Sequence, residues 1–215
     1  MVLVPGPHIL NGALDLLALR ITLGIARLGY STLILAAITA GLILGLHLGG
    51  QTLSVTGTPT TNAPFYADVL AAGVAAGSYP VYFSMPYRMI GWPVAAGMLA
   101  HATHWWALTG WKVSLPTAAL LACLLVGFLL IPVAHLLRMP FAAIGFASVV
   151  AMVPGVYVFR TLSGVLQLQN ATSSVLAATV SDAAVATLVV AGMAIGLVVP
   201  MHLRDVLVGV GARRS

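Results

Sequence analysis

VPGPHILNGALDLL (residues 4–17) and VPGVYVFRTLSGVL (residues 153–166) open on the same Val-Pro-Gly and keep step afterwards. Apolar positions pair off as Ile9 with Val158, Leu10 with Phe159, Leu16 with Val165 and Leu17 with Leu166. After a short insertion the two copies realign, Gly41-Leu42 leading to His47-Leu48 as Gly196-Leu197 leads to His202-Leu203. The competing reading is a chance alignment of two Leu/Ala/Val helices. The alternative is a true repeat, which would build the protein from two related halves.

The composition around these stretches sets the class. Sixty per cent of the 215 residues are hydrophobic and 6% are charged, with four Asp and no Glu. A soluble domain carries about a quarter charged residues, so this chain has too few to cover a solvated surface. It reads as an integral membrane protein, an all-α polytopic bundle. The net charge of +5 is spread singly between apolar runs, where basic residues set topology; nucleic acid is not an expected partner. One cysteine, Cys123 in an apolar run, leaves no disulfide and no thiolate metal site within the chain. No Walker A, GxSxG or HExxH pattern occurs, so ATPase, serine hydrolase and zinc protease chemistry lack support. Alternating ten-residue segments of a β-barrel are absent as well.

A helix needs about 20 apolar residues to cross the hydrocarbon core. Six spans are expected, near 22–48, 66–85, 89–108, 115–137, 140–159 and 175–202. The breaks between them carry turn chemistry: QTLSVTGTPTTNAP at 51–64, Met85-Pro86-Tyr87-Arg88, Thr109-Gly110-Trp111-Lys112, Arg138-Met139-Pro140 and QLQNATSS at 167–174. The chain thus divides into residues 1–50 (end of a first membrane repeat), a polar loop at 51–64, a second repeat of five spans at 65–203, and a basic tail at 204–215. No helix precedes the first Pro-Gly as Ser148, Val149 and Val150 precede the second, which reads as a fragment or one half of a split protein.

With the start of the first span inside, Arg20, Arg27, Arg88, Arg138, Arg204, Arg213 and Arg214 fall on the cytoplasmic side, and only Lys112 and Arg160 outside. The C-terminus is then cytoplasmic. Five spans separate equivalent points of the copies, and an odd number inverts one against the other. Inverted repeats of this kind build alternating-access transporters.

Residues 80–203 resemble the C-terminal membrane domain of the threonine/serine exporter family. The features run in order: Pro86-Tyr87-Arg88 before a Trp/Gly/Ala-rich span, Leu136-Leu137-Arg138-Met139-Pro140, then Val153-Pro154-Gly155 with Tyr157 and Arg160. Residues 1–50, with Val4-Pro5-Gly6-Pro7, Asn11, Asp15 and Arg27, are similar to the end of that family's N-terminal membrane domain. The resemblance implies export of threonine, serine or similar small solutes from the cytoplasm of a bacterium, driven by the proton gradient. It implies no cofactor. The partners it implies are the bilayer, the amino-acid substrate, and a second membrane subunit or further copies of the chain. A subunit without transport activity of its own and an intramembrane enzyme using Asp182 and a His are the alternatives.

Ionisable groups inside a membrane are functional candidates by default. Asp182 lies in the last span with Ser181 beside it and Ser173, Ser174 and Thr179 near; it fits proton uptake or pairing with a substrate ammonium, or else an interfacial helix start. Asp68 suits the positive end of a helix. Pro154-Gly155 breaks the fifth span, freeing backbone groups of the kind that bind amino acids in broken helices. Arg160 fits a substrate carboxylate there, or a cation reaching to water, with Tyr157 beside it. Pro5, Gly6, Asn11 and Asp15 are the repeat-related set, Asp15 being as well suited to a solvated helix end as to a site. His101 and His104 share a face of the third span; with His135 they invite comparison with a proton relay or metal site, although no fourth ligand is suitably spaced. Gly91, Gly97 and Gly110 are expected to permit close helix packing. Asn170-Ala171-Thr172 matches a glycosylation sequon.

Overall fold

The computed structural model describes residues 5–50, 64–82, 84–138, 141–168 and 172–212. Among them every regular element is helical. The order is α1 (Pro5–Leu17), α2 (Ile21–Leu48), α3 (Phe65–Tyr82), α4 (Gly91–Thr109), α5 (Leu115–Leu136), α6 (Phe141–Val149), α7 (Gly155–Leu166) and α8 (Ser173–Ala212). Single 3-10 turns occupy Tyr87–Met89 and Val150–Met152. The sequon at Asn170, the loop at 51–63, Met139-Pro140 and Arg213-Arg214 lie outside the described residues.

Helices form at all six expected places, but among the described residues three are both long and apolar enough to cross a membrane: α2, α5 and Ser173–Arg204 of α8. Among these residues a fourth span arises when the broken pair Ile144–Met152 and Gly155–Leu166 is taken as one. The expected fifth span at 140–159 is broken, and its two parts are bent by 56° at Pro154. Its helix ends at Val149, and a new helix starts after Pro154. Pro has no N–H to continue the ladder and disfavours helical backbone in the residue before it; Val153 accordingly sits at φ −57°, ψ 128°. The Pro154 carbonyl accepts the N–H of Val158 and opens α7.

The chain forms two compact units, one of Met1–Asn62 with Pro154–Val190, the other of Ala63–Val153 with Ala191–Ser215. In the second, small residues let backbones approach. A Cβ on Gly97 would lie 2.7 Å from Ala76 Cβ and 3.1 Å from the Ser148 carbonyl oxygen. Ala72, Ala76, Ala96, Ala100, Ala118, Ala119 and Ala122 fill the seams between α3, α4, α5 and α6. This is membrane packing, where close contact between helices replaces the hydrophobic drive. Gly91 departs from the expectation: a side chain there would meet nothing within 4 Å.

The turn from α1 to α2 is closed by two reversed hydrogen bonds, Leu19 N–H to Leu16 O and Arg20 N–H to Asp15 O. That pattern is the Schellman motif, whose left-handed position usually holds Gly. Here it holds Leu19, at φ 60° and 83% exposed. A left-handed L-residue costs about 1–2 kcal/mol, and so exposed a side chain offsets little of it. Leu19→Gly is expected to stabilise the protein by about 1 kcal/mol, read as a higher thermal midpoint in detergent.

Candidate functional site

The first unit holds the first copy of the repeat and the second from Pro154 to Val190. In each, a short amphipathic helix begins at the Pro-Gly and turns back into a long one: α1 into α2, and α7 into α8. Each pair is drawn together by a glycine. A Cβ on Gly24 would stand 2.9 Å from the Gly12 carbonyl oxygen, and one on Gly12 would stand 3.2 Å from that of Gly24. On the other pair, a Cβ on Gly164 would overlap Thr179 Oγ1, a hydroxyl already donating to the Val175 carbonyl.

Beside each contact lies an ion pair. Three residues beyond Gly12 and Gly24, Arg27 Nη1 donates to Asp15 Oδ2 at 2.6 Å. A turn from Gly164 and from Thr179, Arg160 Nε donates to Asp182 Oδ2 at 2.7 Å. The polarity is exchanged between copies: the short helix carries the acid in the first pair and the base in the second. The second pair is the drier one, its side chains 14% and 8% exposed against 38% and 11% for Arg27 and Asp15. Desolvated charges persist only when paired and hydrogen-bonded, and both pairs meet that condition.

Asp15 is not at a solvated helix end; it is buried and paired. Arg27 lies in the second turn of α2 and faces α1. Arg160 does not simply reach to water, because it is half-buried and held by Asp182. Tyr157 and Asn11 are half-buried on the same short helices, as are Pro5 and Gly6. Pro154 is buried, while a side chain on Gly155 would meet open space.

Asp68 belongs to the second unit. It stands in the first turn of α3, as its fit to the helix dipole predicts. It also has a partner that the spacing did not reveal, His101 Nδ1 at 3.1 Å. The rings of His101 and His104 lie 6.4 Å apart. His135 does not join them; its Nδ1 accepts from Arg204 Nη2 at 3.1 Å. Among the described residues no group of three metal-ligating side chains forms.

Two further residues of the first unit escaped the sequence. Ser163 of α7 and Thr39 of α2 are fully buried, and neither hydroxyl has a hydrogen-bond partner among the described residues. A buried hydroxyl without a partner costs about 1–3 kcal/mol, so such a group marks a place where a partner is missing. Ser163 follows Arg160 by three residues and shares its helix face. Its one sequence signal was that spacing. Chemically, the Arg160–Asp182 pair offers a cation, an anion and, one turn on, a vacant hydroxyl.

Two family models match the chain. The one described as Threonine/Serine exporter, ThrE covers residues 68–203, and a second threonine/serine exporter model covers residues 1–49. No curated protein and no solved structure matches.

Proposed function

Because the chain belongs to the threonine/serine exporter family, a family of membrane transporters, we propose that it exports threonine, serine or similar small hydroxy amino acids across the bacterial cytoplasmic membrane as a proton-coupled secondary transporter. The observation that carries this is the Arg160–Asp182 pair, buried within a helix pair that starts at a Pro-Gly break. An amino acid is a zwitterion. Its carboxylate matches Arg160 and its ammonium matches Asp182, so substrate replaces the internal pair charge for charge. No ion is left unpaired in low dielectric, which would be strongly unfavourable.

Ser163 supports the hydroxy amino acids within that class. Its unpartnered hydroxyl, on the Arg160 face of α7, offers a hydrogen bond to a substrate OH. Sites that hydrogen-bond a substrate hydroxyl discriminate strongly against the analogue lacking it. The proton enters through Asp182: protonating the carboxylate removes its charge, releases Arg160 and the substrate ammonium, and lets the emptied site reset. The inverted repeat supplies the second orientation, with Asp15–Arg27 as the counterpart of opposite polarity.

The test is uptake of labelled threonine into inside-out vesicles carrying the full chain. An acid interior is expected to drive accumulation, serine to compete and alanine to compete weakly. Equal uptake with and without the gradient would remove the proton coupling, and absence of threonine and serine uptake would remove the assignment.

A further inference from the structure

We propose that the second unit holds a specific site for an anionic phospholipid at the junction of α5, α6 and α8. A cavity of about 480 Å³ opens there, lined by His135, Arg138, Phe141 and Arg204 among others. Two of its side chains are guanidinium groups, and none of the described lining residues is acidic. Arg138 is presented by the turn after α5, in left-handed backbone at φ 52°. Arg204 is held by its hydrogen bond to His135. His135 thereby positions the Arg204 guanidinium at the cavity.

The cavity does not stand alone. An apolar groove of about 350 Å³ adjoins it, lined by Phe128, Pro132, Pro200 and Leu203, and it shares Ile131, His135 and Arg204 with the cavity. Phe128 is 53% exposed on a helix apolar enough to cross the membrane, so in a bilayer this groove meets acyl chains. A basic cavity continuous with an apolar groove is the shape of an amphiphile: phosphate against the guanidinium groups, hydrocarbon along α5 and α8. A soluble phosphate would leave the groove empty. Basic pockets between membrane helices on the cytoplasmic side bind anionic headgroups, and the distribution of basic residues assigns Arg138 and Arg204 to that side. The site shares no residue with the Arg160–Asp182 pair.

Native mass spectrometry of the full chain in neutral detergent tests this, with phosphatidylglycerol, phosphatidylcholine and glycerol 3-phosphate as probes. Phosphatidylglycerol is expected to bind on the order of tenfold more tightly than phosphatidylcholine, given two Arg contacts. Glycerol 3-phosphate is expected not to displace it. Arg138→Gln/Arg204→Gln should abolish the preference, while Arg138→Lys/Arg204→Lys should keep most of it, which separates lost charge from lost fold. Equal binding of the two lipids, displacement by glycerol 3-phosphate, or an undiminished preference in the Gln variant would each overturn the proposal.

Discussion

Asp182→Asn is expected to reduce threonine export below detection and to destabilise the protein by about 3 kcal/mol or more. Asn cannot take a proton or balance a cation, so Arg160 is left charged in surroundings where its partner was 8% exposed. The single variant alone would not separate a transport role from a structural one. Asp182→Asn/Arg160→Gln does. With both charges gone no ion is stranded, and replacing both members of a buried pair is often neutral for stability. The double variant is therefore expected to regain most of the wild-type thermal midpoint while export stays absent. Transport at the wild-type rate in that variant would sink the assigned site. The same exchange at Asp15 and Arg27 should affect stability less, since Arg27 is already 38% exposed.

Gly196→Ala and Gly41→Ala should have opposite effects, although the two glycines occupy matching places in the repeat. A Cβ at Gly196 would stand 2.7 Å from Cys123 Cβ, 2.7 Å from the Leu120 carbonyl oxygen and 3.0 Å from the Leu124 amide nitrogen. Two of those atoms are backbone, so α5 and α8 have to separate rather than rearrange a side chain. Overpacking of this kind costs about 1–3 kcal/mol. At Gly41 the new methyl meets nothing within 4 Å, and the helix gains about 1 kcal/mol from exchanging Gly for Ala. Cys123 provides the readout. It is fully buried in the α5–α8 seam and should resist maleimide in the wild type and in Gly41→Ala. It is expected to become labelled in Gly196→Ala. Equal labelling in all three proteins would contradict the packing argument.

The repeat shows where the linear pattern sufficed. A short helix after Pro5-Gly6 and a break at Pro154-Gly155 were both legible, because proline acts on the backbone within one turn of itself; that a second short helix runs from Gly155 to Leu166 was not. The α1 and α7 segments are amphipathic, so their buried faces were within reach of periodicity. The long helices were not. α2 and α8 are apolar nearly all round, and a helix apolar on every side encodes no preferred rotation. Nothing local could therefore say that Arg27 turns toward Asp15, that Gly196 faces α5 while Gly41 faces open space, or that Thr179 sits over Gly164.

What the sequence determined by itself was the class, the helix starts, the break at Pro154 and the family, since all of these follow from composition or from interactions within about one helical turn. The doubled Val-Pro-Gly located the two halves that matter. Only the tertiary structure decided that each half closes on its own ion pair, with acid and base exchanged between short and long helix. Pairing depends on how two helices are rotated and how closely they approach. Here the approach is set by glycines, which add no hydrophobic signal to the pattern they control.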